Sequence, residues 1–494
     1  MKFGTTAAAL LSLTPGLTWA KPRHKLDSKR FQSDIKTKNL MGNLEALNDI
    51  AFDNGGNRAF GLPGYEASVD YIWKRISKVK GAKVWKQNFP ALFAFVDSIE
   101  LKVDDEPIYI YGLTYSPSTS EEGITAEIVL GPEGVAGCDA SSYDNLDVKG
   151  KIVLVQRFRC PTGGTLAGRV IPAAAAGASA VIIYHDLTTN VTAGSLSEPN
   201  PKKHVPAGFI TLADGVKIKE RLEAGETLTA HFQQSQTIEE RITQNVFAET
   251  QGGDPHNLGA HLDSVQAGPG INDDGSGTSL ILELFLALSK YKTKNKIRFA
   301  WWGAEENGLL GSKYYCSNLV AKEVNNLLVY LNYDMVAKGF FGVADTDGSS
   351  HGVRAPAGSE VTEKLFVDYF KSKGLEVTPA SLTNGSDYAP FWQILNKPFG
   401  FLHTGTAVEQ DPCYHQACDT IENPDPKTLT INAKAAAHIL TVLDQRGPKL
   451  IPKTKVSETS LRSLQKRSVG PDLGQIHELE AMGIRHLGCG LHEV

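Results

Sequence analysis

Residues 259–277 read GAHLDSVQAGPGINDDGSG, and the rest of the chain is organised around them. His261 and Asp263 stand two apart at the end of a short apolar run. A Gly/Pro loop then leads to Asp273 and Asp274, followed by Gly275, Ser276 and Gly277. Imidazole and carboxylate on neighbouring short loops are what a divalent transition metal needs. The glycines let the backbone turn tightly, so that two short acidic side chains reach the same point. The remaining ligands have to come from elsewhere in the chain.

From Asn245 onward the pattern alternates strand and helix, the sign of a largely parallel sheet. A strand over 257–261 ends at the first ligands. A helix over 278–291 carries Ile281, Leu284, Phe285 and Leu288 on one stripe. A strand over 297–302 ends at Gly303-Ala304-Glu305-Glu306, a helix begins near Gly308, and a strand over 327–333 ends at Asp334. A helix over 431–443 closes the unit. Open α/β sheets place their sites at the carboxyl ends of strands, where these acids fall.

Five candidate metal ligands follow: His261, Asp273, Glu306, Asp334 and His415. Two histidines and three carboxylates fit two Zn²⁺ ions if one carboxylate bridges them. Such a pair also needs a general base that is not a ligand, and Glu305, beside Glu306, is that candidate. Asp263 is placed to orient the ring of His261. Each fragment alone carries little. A Glu-Glu pair can cap a helix, Asp273-Asp274 can be an Asx turn, and His415 can be a solvated loop histidine. The coincidence of several such groups, each at a strand end and interleaved with glycine turns, points to a metal centre.

The 494 residues suggest two or three domains with ample material for a core. A net charge of −5 gives no reason to expect nucleic acid or an anionic membrane as partner. Six cysteines are too few for a disulfide scaffold of this length. At the N-terminus Lys2 precedes an apolar run, Ala7 to Trp19, which reads as a secretory signal over 1–20 cut after Ala20. No other segment is long and apolar enough to span a membrane, so no membrane anchor is expected. Residues 21–39 are rich in Lys and Arg and read as a pro-segment or exposed arm. Leu40, Leu44, Leu47 and Ile50 predict a first helix; Val69, Ile72, Ile76 and Val79 predict a second, from Glu66.

Residues 121–233 read as a separate, smaller α/β unit without a cluster of His, Asp and Glu suited to chemistry. Short β-rich runs at 125–130, 151–156, 180–184, 209–212 and 227–232 surround an Ala-rich helix at 168–178. Cys138 and Cys160 both lie in this unit as a plausible local disulfide. Asn190 heads a glycosylation sequon there, and Asn384 heads another. On this reading 40–120 and 234–446 form the catalytic domain, and 447–494 is a mobile tail.

The blocks GAHLDSV, PGINDDGSG, WWGAEENGLLGS, LNYDMV and PCYHQACDT resemble, in order, the secreted di-zinc aminopeptidases of the aminopeptidase Y and bacterial leucine aminopeptidase type. The resemblance runs from about Leu40 to Asp444, and the insert resembles a protease-associated domain. It implies a mostly parallel mixed sheet sandwiched by helices, with the smaller insert beside it. It implies that Asp273 bridges two zinc ions, with His261 and Asp334 completing one and Glu306 and His415 the other. Glu305 would be the base, Asp263 the histidine's partner, and Tyr414 the donor to the tetrahedral oxyanion. Cys413 and Cys418 resemble the family disulfide that stiffens the loop, with a thiolate metal site as the alternative. Substrates would be peptides with a free N-terminus, the protein a monomer, and its place extracellular or, alternatively, a vacuolar lumen. Tyr388 stands where family members often have His, and is given no role.

Gly348-Ser349-Ser350-His351-Gly352 formally matches a serine nucleophile elbow, which needs a strand before it and a helix directly after. A glutaminyl-cyclase-like acyl transferase works with one zinc, whereas all five ligands are present here. A silent relative resembling the transferrin receptors would have lost ligands. A carboxypeptidase on the same scaffold is the remaining alternative.

Overall fold

The computed structural model describes residues 24–467, except 189, 190, 192, 193, 254 and 406–409. The signal expected at 1–20, the sequon residue Asn190 and Cys489 lie outside the described residues.

The main body is a mixed sheet between two layers of helices. Pro255–His261 runs parallel to Lys296–Trp302 on one side and to Tyr330–Tyr333 on the other. Tyr330–Tyr333 continues in parallel to Phe399–His403. Alternation along these strands feeds two cores. Ile297, Phe299, Trp301, Leu331 and Tyr333 face one, packed on helices Thr37–Asp53, Gly275–Leu288 and Pro426–Leu450. Ala300, Trp302 and Tyr330 face the other, against Tyr315 of Leu310–Asn318 and Phe391 of Tyr388–Gln393. Strands buried on both faces read as apolar runs, as in IRFAWW at 297–302. The register pairs His261 with Trp302, so the residues that follow each leave the sheet at one edge.

The insert has its own parallel sheet of Ile124–Leu130, Ile152–Gln156, Ala180–Tyr184 and Ala207–Ile210. Its boundary lies earlier than 121, because Tyr111–Gly112 pairs with Phe209 and Gly208 at the far edge of this sheet. Two 21-residue strands that the sequence did not announce join the units. Lys83–Val103 and Thr229–Glu249 pair antiparallel from Lys83↔Glu249 to Val103↔Ala230. One end of Thr229–Glu249 adds to Lys296–Trp302 and the other to Ile124–Leu130. A single 14-stranded sheet therefore runs through main body and insert.

Both ends of the described chain correct the sequence reading. Residues 24–39 are no loose arm. His24–Lys25 pairs with Tyr291–Lys292, and Leu26, Phe31 and Ile35 are buried in the main core beside Leu44. Their apolar spacing is hidden among lysines and arginines. Nor does 447 begin a mobile tail. The last helix of the main body extends to Leu450, and a further helix, Glu458–Arg467, buries Leu461. Glu458 accepts a hydrogen bond from the Ala321 N–H at 2.9 Å, and Gln465 donates to the Leu319 carbonyl at 2.9 Å. Among the described residues no helix is long and apolar enough to cross a membrane.

Candidate metal centre

Every predicted ligand reaches one buried spot at the carboxyl edge of the main sheet. His261 is the last residue of its strand, Glu305 and Glu306 follow Trp302, and Asp334 follows Tyr333. His415 arrives differently, from the loop between Phe399–His403 and Pro426–Leu450. Gly270, at φ +61°, turns the acidic loop, and Asp273-Asp274 is a cis peptide. Asp274 then caps the next helix by accepting the Gly277 N–H at 2.7 Å. Gly277 has to be glycine, because a Cβ there would collide with the Tyr333 carbonyl and the Asp274 carboxylate.

Asp273 divides its two oxygens between the histidines. Oδ1 lies 3.1 Å from His261 Nε2, and Oδ2 lies 3.1 Å from His415 Nε2. Asp334 Oδ1 completes the first group at 3.5 Å from His261 Nε2, and Glu306 Oε2 the second at 3.1 Å from His415 Nε2. Ligands about 2.0–2.1 Å from a tetrahedral zinc stand about 3.3 Å apart, so both groups fit such an ion. The carboxyl oxygens Asp334 Oδ1, Glu305 Oε1 and Glu306 Oε1 are buried with no hydrogen-bond partner, a cost that a cation removes. Burial works against a charged His415, yet Glu306 and Asp273 outweigh it and push its pKa up to about 10. The same competition raises His261, with Glu305 and Asp334 as the acids. The donors thus form an acid-rich cavity that demands positive charge.

Glu305 stands in the same cluster, with Oε2 4.0 Å from His261 Nε2 and a carboxylate oxygen within 4.8 Å of Asp334. Burial, then the acids Asp387 and Asp334, raise its pKa well above the ordinary carboxylate range, against the pull of His261. Tyr414 stacks on His415 with ring centroids 3.8 Å apart. Asp263 lies beside the ring of His261, as expected, but meets it chiefly through its main chain. The oxygen nearest His261 Nδ1 is the main-chain carbonyl of Asp263 at 3.1 Å, while its carboxylate stands 3.8 Å away. The carboxylate instead accepts the backbone N–H groups of Glu305 at 3.1 Å and Glu306 at 3.3 Å.

Apart from Asp419, which lies in the block PCYHQACDT, the groups that hold this arrangement were not visible as motifs. Buried Arg58 donates to the carbonyls of Leu262, Pro269 and Gly270, tying both ends of the ligand loop. Asp419 accepts the N–H groups of Asn272 and Asp273, and Asp411 accepts from the Asn272 side chain. They flank, on either side, the short loop closed by the Cys413–Cys418 disulfide, so this segment clamps the acidic one. That bond leaves no thiolate there for a metal. Ser386 donates to Asp334 Oδ2 at 2.6 Å, which leaves Oδ1 for His261. Ser386 also completes the Asn384 sequon, and Asn384 is only 6% exposed in the folded chain. Cys138 and Cys160 are bonded as expected. The serine-elbow match fails on context: its residues form a turn well before the helix Ser359–Ser372, and Asp345 accepts the N–H groups of Ser350 and His351.

An α/β body with carboxylates and imidazoles gathered at the strand ends is built to hold metal ions. Comparison with known proteins narrows this class. Residues 245–440 match peptidase family M28, and residues 124–218 match the PA domain. A probable leucine aminopeptidase 2 of Aspergillus oryzae is 38% identical over 432 residues, spanning 82% of this chain and 84% of that protein. An aminopeptidase of Pseudomonas aeruginosa is 36% identical over 449 residues, spanning 83% and 81%. Among solved structures, an aminopeptidase from Aneurinibacillus sp. strain AM-1 aligns at TM-score 0.69 and 25% identity, over 87% of this chain and 98% of that one. A zinc aminopeptidase from Bacillus subtilis aligns at TM-score 0.66 and 25% identity, over 86% and 97%. The chain belongs to peptidase family M28, and is a metallo-aminopeptidase.

Proposed function

We propose that this aminopeptidase is secreted and works with two zinc ions, removing the N-terminal residue of peptides. The observation that carries the two-ion reading is the division of Asp273 between His261 and His415. On this reading Asp273 would be shared by the two ions, His261 and Asp334 would help to hold one, and Glu306 and His415 the other. The bound ions supply an acidified water and a Lewis acid for the scissile carbonyl. Glu305 takes the proton of the attacking water and delivers it to the leaving amine. Tyr414 donates its hydroxyl to the oxyanion, and its stacking on His415 holds the ring in place. The rest of the peptide leaves along the groove beside Glu306, lined by Phe95, Tyr111, Thr114, Gln266 and Asn307. The apolar N-terminal run and the two disulfides support an oxidising, extracellular destination.

A profile over aminoacyl-p-nitroanilides with N-acetylated controls tests the reading. Hydrolysis should require a free amine, stop on chelation and return with Zn²⁺. Equal cleavage of the blocked compounds contradicts it.

A further inference from the structure

The loop between Gly342–Ala344 and the helix Ser359–Ser372 gathers a second set of acids, distinct from the ligands above. Asp345, Asp347 and Glu363 each bring a carboxylate oxygen within 4.8 Å of the others. The loop's own donors go to one oxygen of each. Asp345 Oδ2 accepts the N–H groups of Ser350 at 3.0 Å and His351 at 2.6 Å. Asp347 Oδ1 accepts the Ser349 N–H at 2.8 Å. Glu363 Oε2 accepts the N–H groups of Thr346 at 2.8 Å and Asp347 at 3.0 Å, and the Thr346 hydroxyl at 2.8 Å.

These bonds orient the carboxylates without neutralising them. Asp345 is 1% exposed, and its Oδ1 is buried with no hydrogen-bond partner. A buried carboxylate oxygen without a donor, in a group of three acids, carries a desolvation cost that a bound cation would remove. The basic side chains nearby do not fill this place. His351 Nδ1 faces the other oxygen, Oδ2, at 3.1 Å, and Arg354 Nε donates to the Asp347 carbonyl at 3.3 Å. The cluster offers oxygen alone, with neither imidazole nor thiolate among its members, which favours a hard cation over zinc. Asp347 is exposed and Glu363 half-buried, so water can reach the cluster and could complete the six to eight ligands that calcium takes.

We propose that Asp345, Asp347 and Glu363 form a calcium site, with Asp345 Oδ1 as its buried ligand, tying the loop after Gly342–Ala344 to the helix. It is independent of the catalytic reading, because no member belongs to the zinc constellation. Zinc-loaded full-length protein titrated with CaCl₂ by calorimetry, with parallel thermal melts, tests it. One site per chain is expected, with Kd on the order of 10⁻⁴ M and a Tm raised by about 2 °C or more at about 10 mM Ca²⁺. Asp347→Asn and Glu363→Gln should each weaken calcium at least about 10-fold while zinc content and kcat stay at wild type. Asp368→Asn, an exposed acid further along the same helix, should change nothing. If Glu363→Gln fails to fold, Asp347→Asn decides, since its side chain lies at the surface. Absence of both heat and Tm shift in the wild type, or wild-type binding by Asp347→Asn, overturns the proposal.

Discussion

The Asp263 carboxylate accepts the backbone N–H of Glu305 at 3.1 Å, which fixes the base to the strand end that carries His261. Its second oxygen holds the Glu306 N–H at 3.3 Å, and its carbonyl faces His261 Nδ1. One residue therefore positions base, ligand and imidazole together. Asp263→Asn keeps the carbonyl but replaces one acceptor with a donor facing an N–H. Zinc affinity or kcat should fall about 10–100-fold with the fold intact by circular dichroism. Wild-type values for both would contradict this role.

Glu305 and Glu306 are adjacent in sequence and should behave differently. Glu305→Gln should lower kcat by about 10²–10⁴ with zinc retained, because it removes only the proton acceptor. Glu306→Gln should lose zinc as well as rate. Kinetics and elemental analysis of both variants separate the roles, and the opposite pattern would exchange them.

Arg58→Met leaves three buried carbonyls, of Leu262, Pro269 and Gly270, without their donors. Each unsatisfied group costs about 1–3 kcal/mol, so stability should drop by at least about 2 kcal/mol in urea unfolding. A midpoint within error of wild type would show that the loop holds itself.

Ser386→Ala removes the donor to Asp334 Oδ2 and should weaken zinc about 10–100-fold, read by competition with a chelating dye. Peptide mapping of secreted protein should find Asn384 unmodified, because its side chain is buried when folded. Full glycan occupancy there would contradict the geometry.

How much of this was legible follows from what each residue depends on. The ligands at strand ends could be read because strand, glycine turn and acid are consecutive in sequence. The insert could be read from its short β-rich runs. The ribbon Thr229–Glu249 could not: its middle, QQSQTIEERITQN at 233–245, is polar where it runs between the main body and the insert, so the pattern stops near Phe232. Residues 83–103 likewise give no clean alternation around Pro90. Leu26, Phe31 and Ile35 are masked by surrounding charge. Arg58, Asp411, Asp419 and Ser386 come from distant segments, and only the folded chain brings them to the acidic loop.

The account rests on Asp273 serving two metal ions at once. The zinc content of purified, dialysed protein, measured per chain alongside peptidase activity, tests this most directly. Two zinc ions per chain are predicted, lost together with activity on chelation and restored together by Zn²⁺. One zinc or none, with full activity, would contradict it.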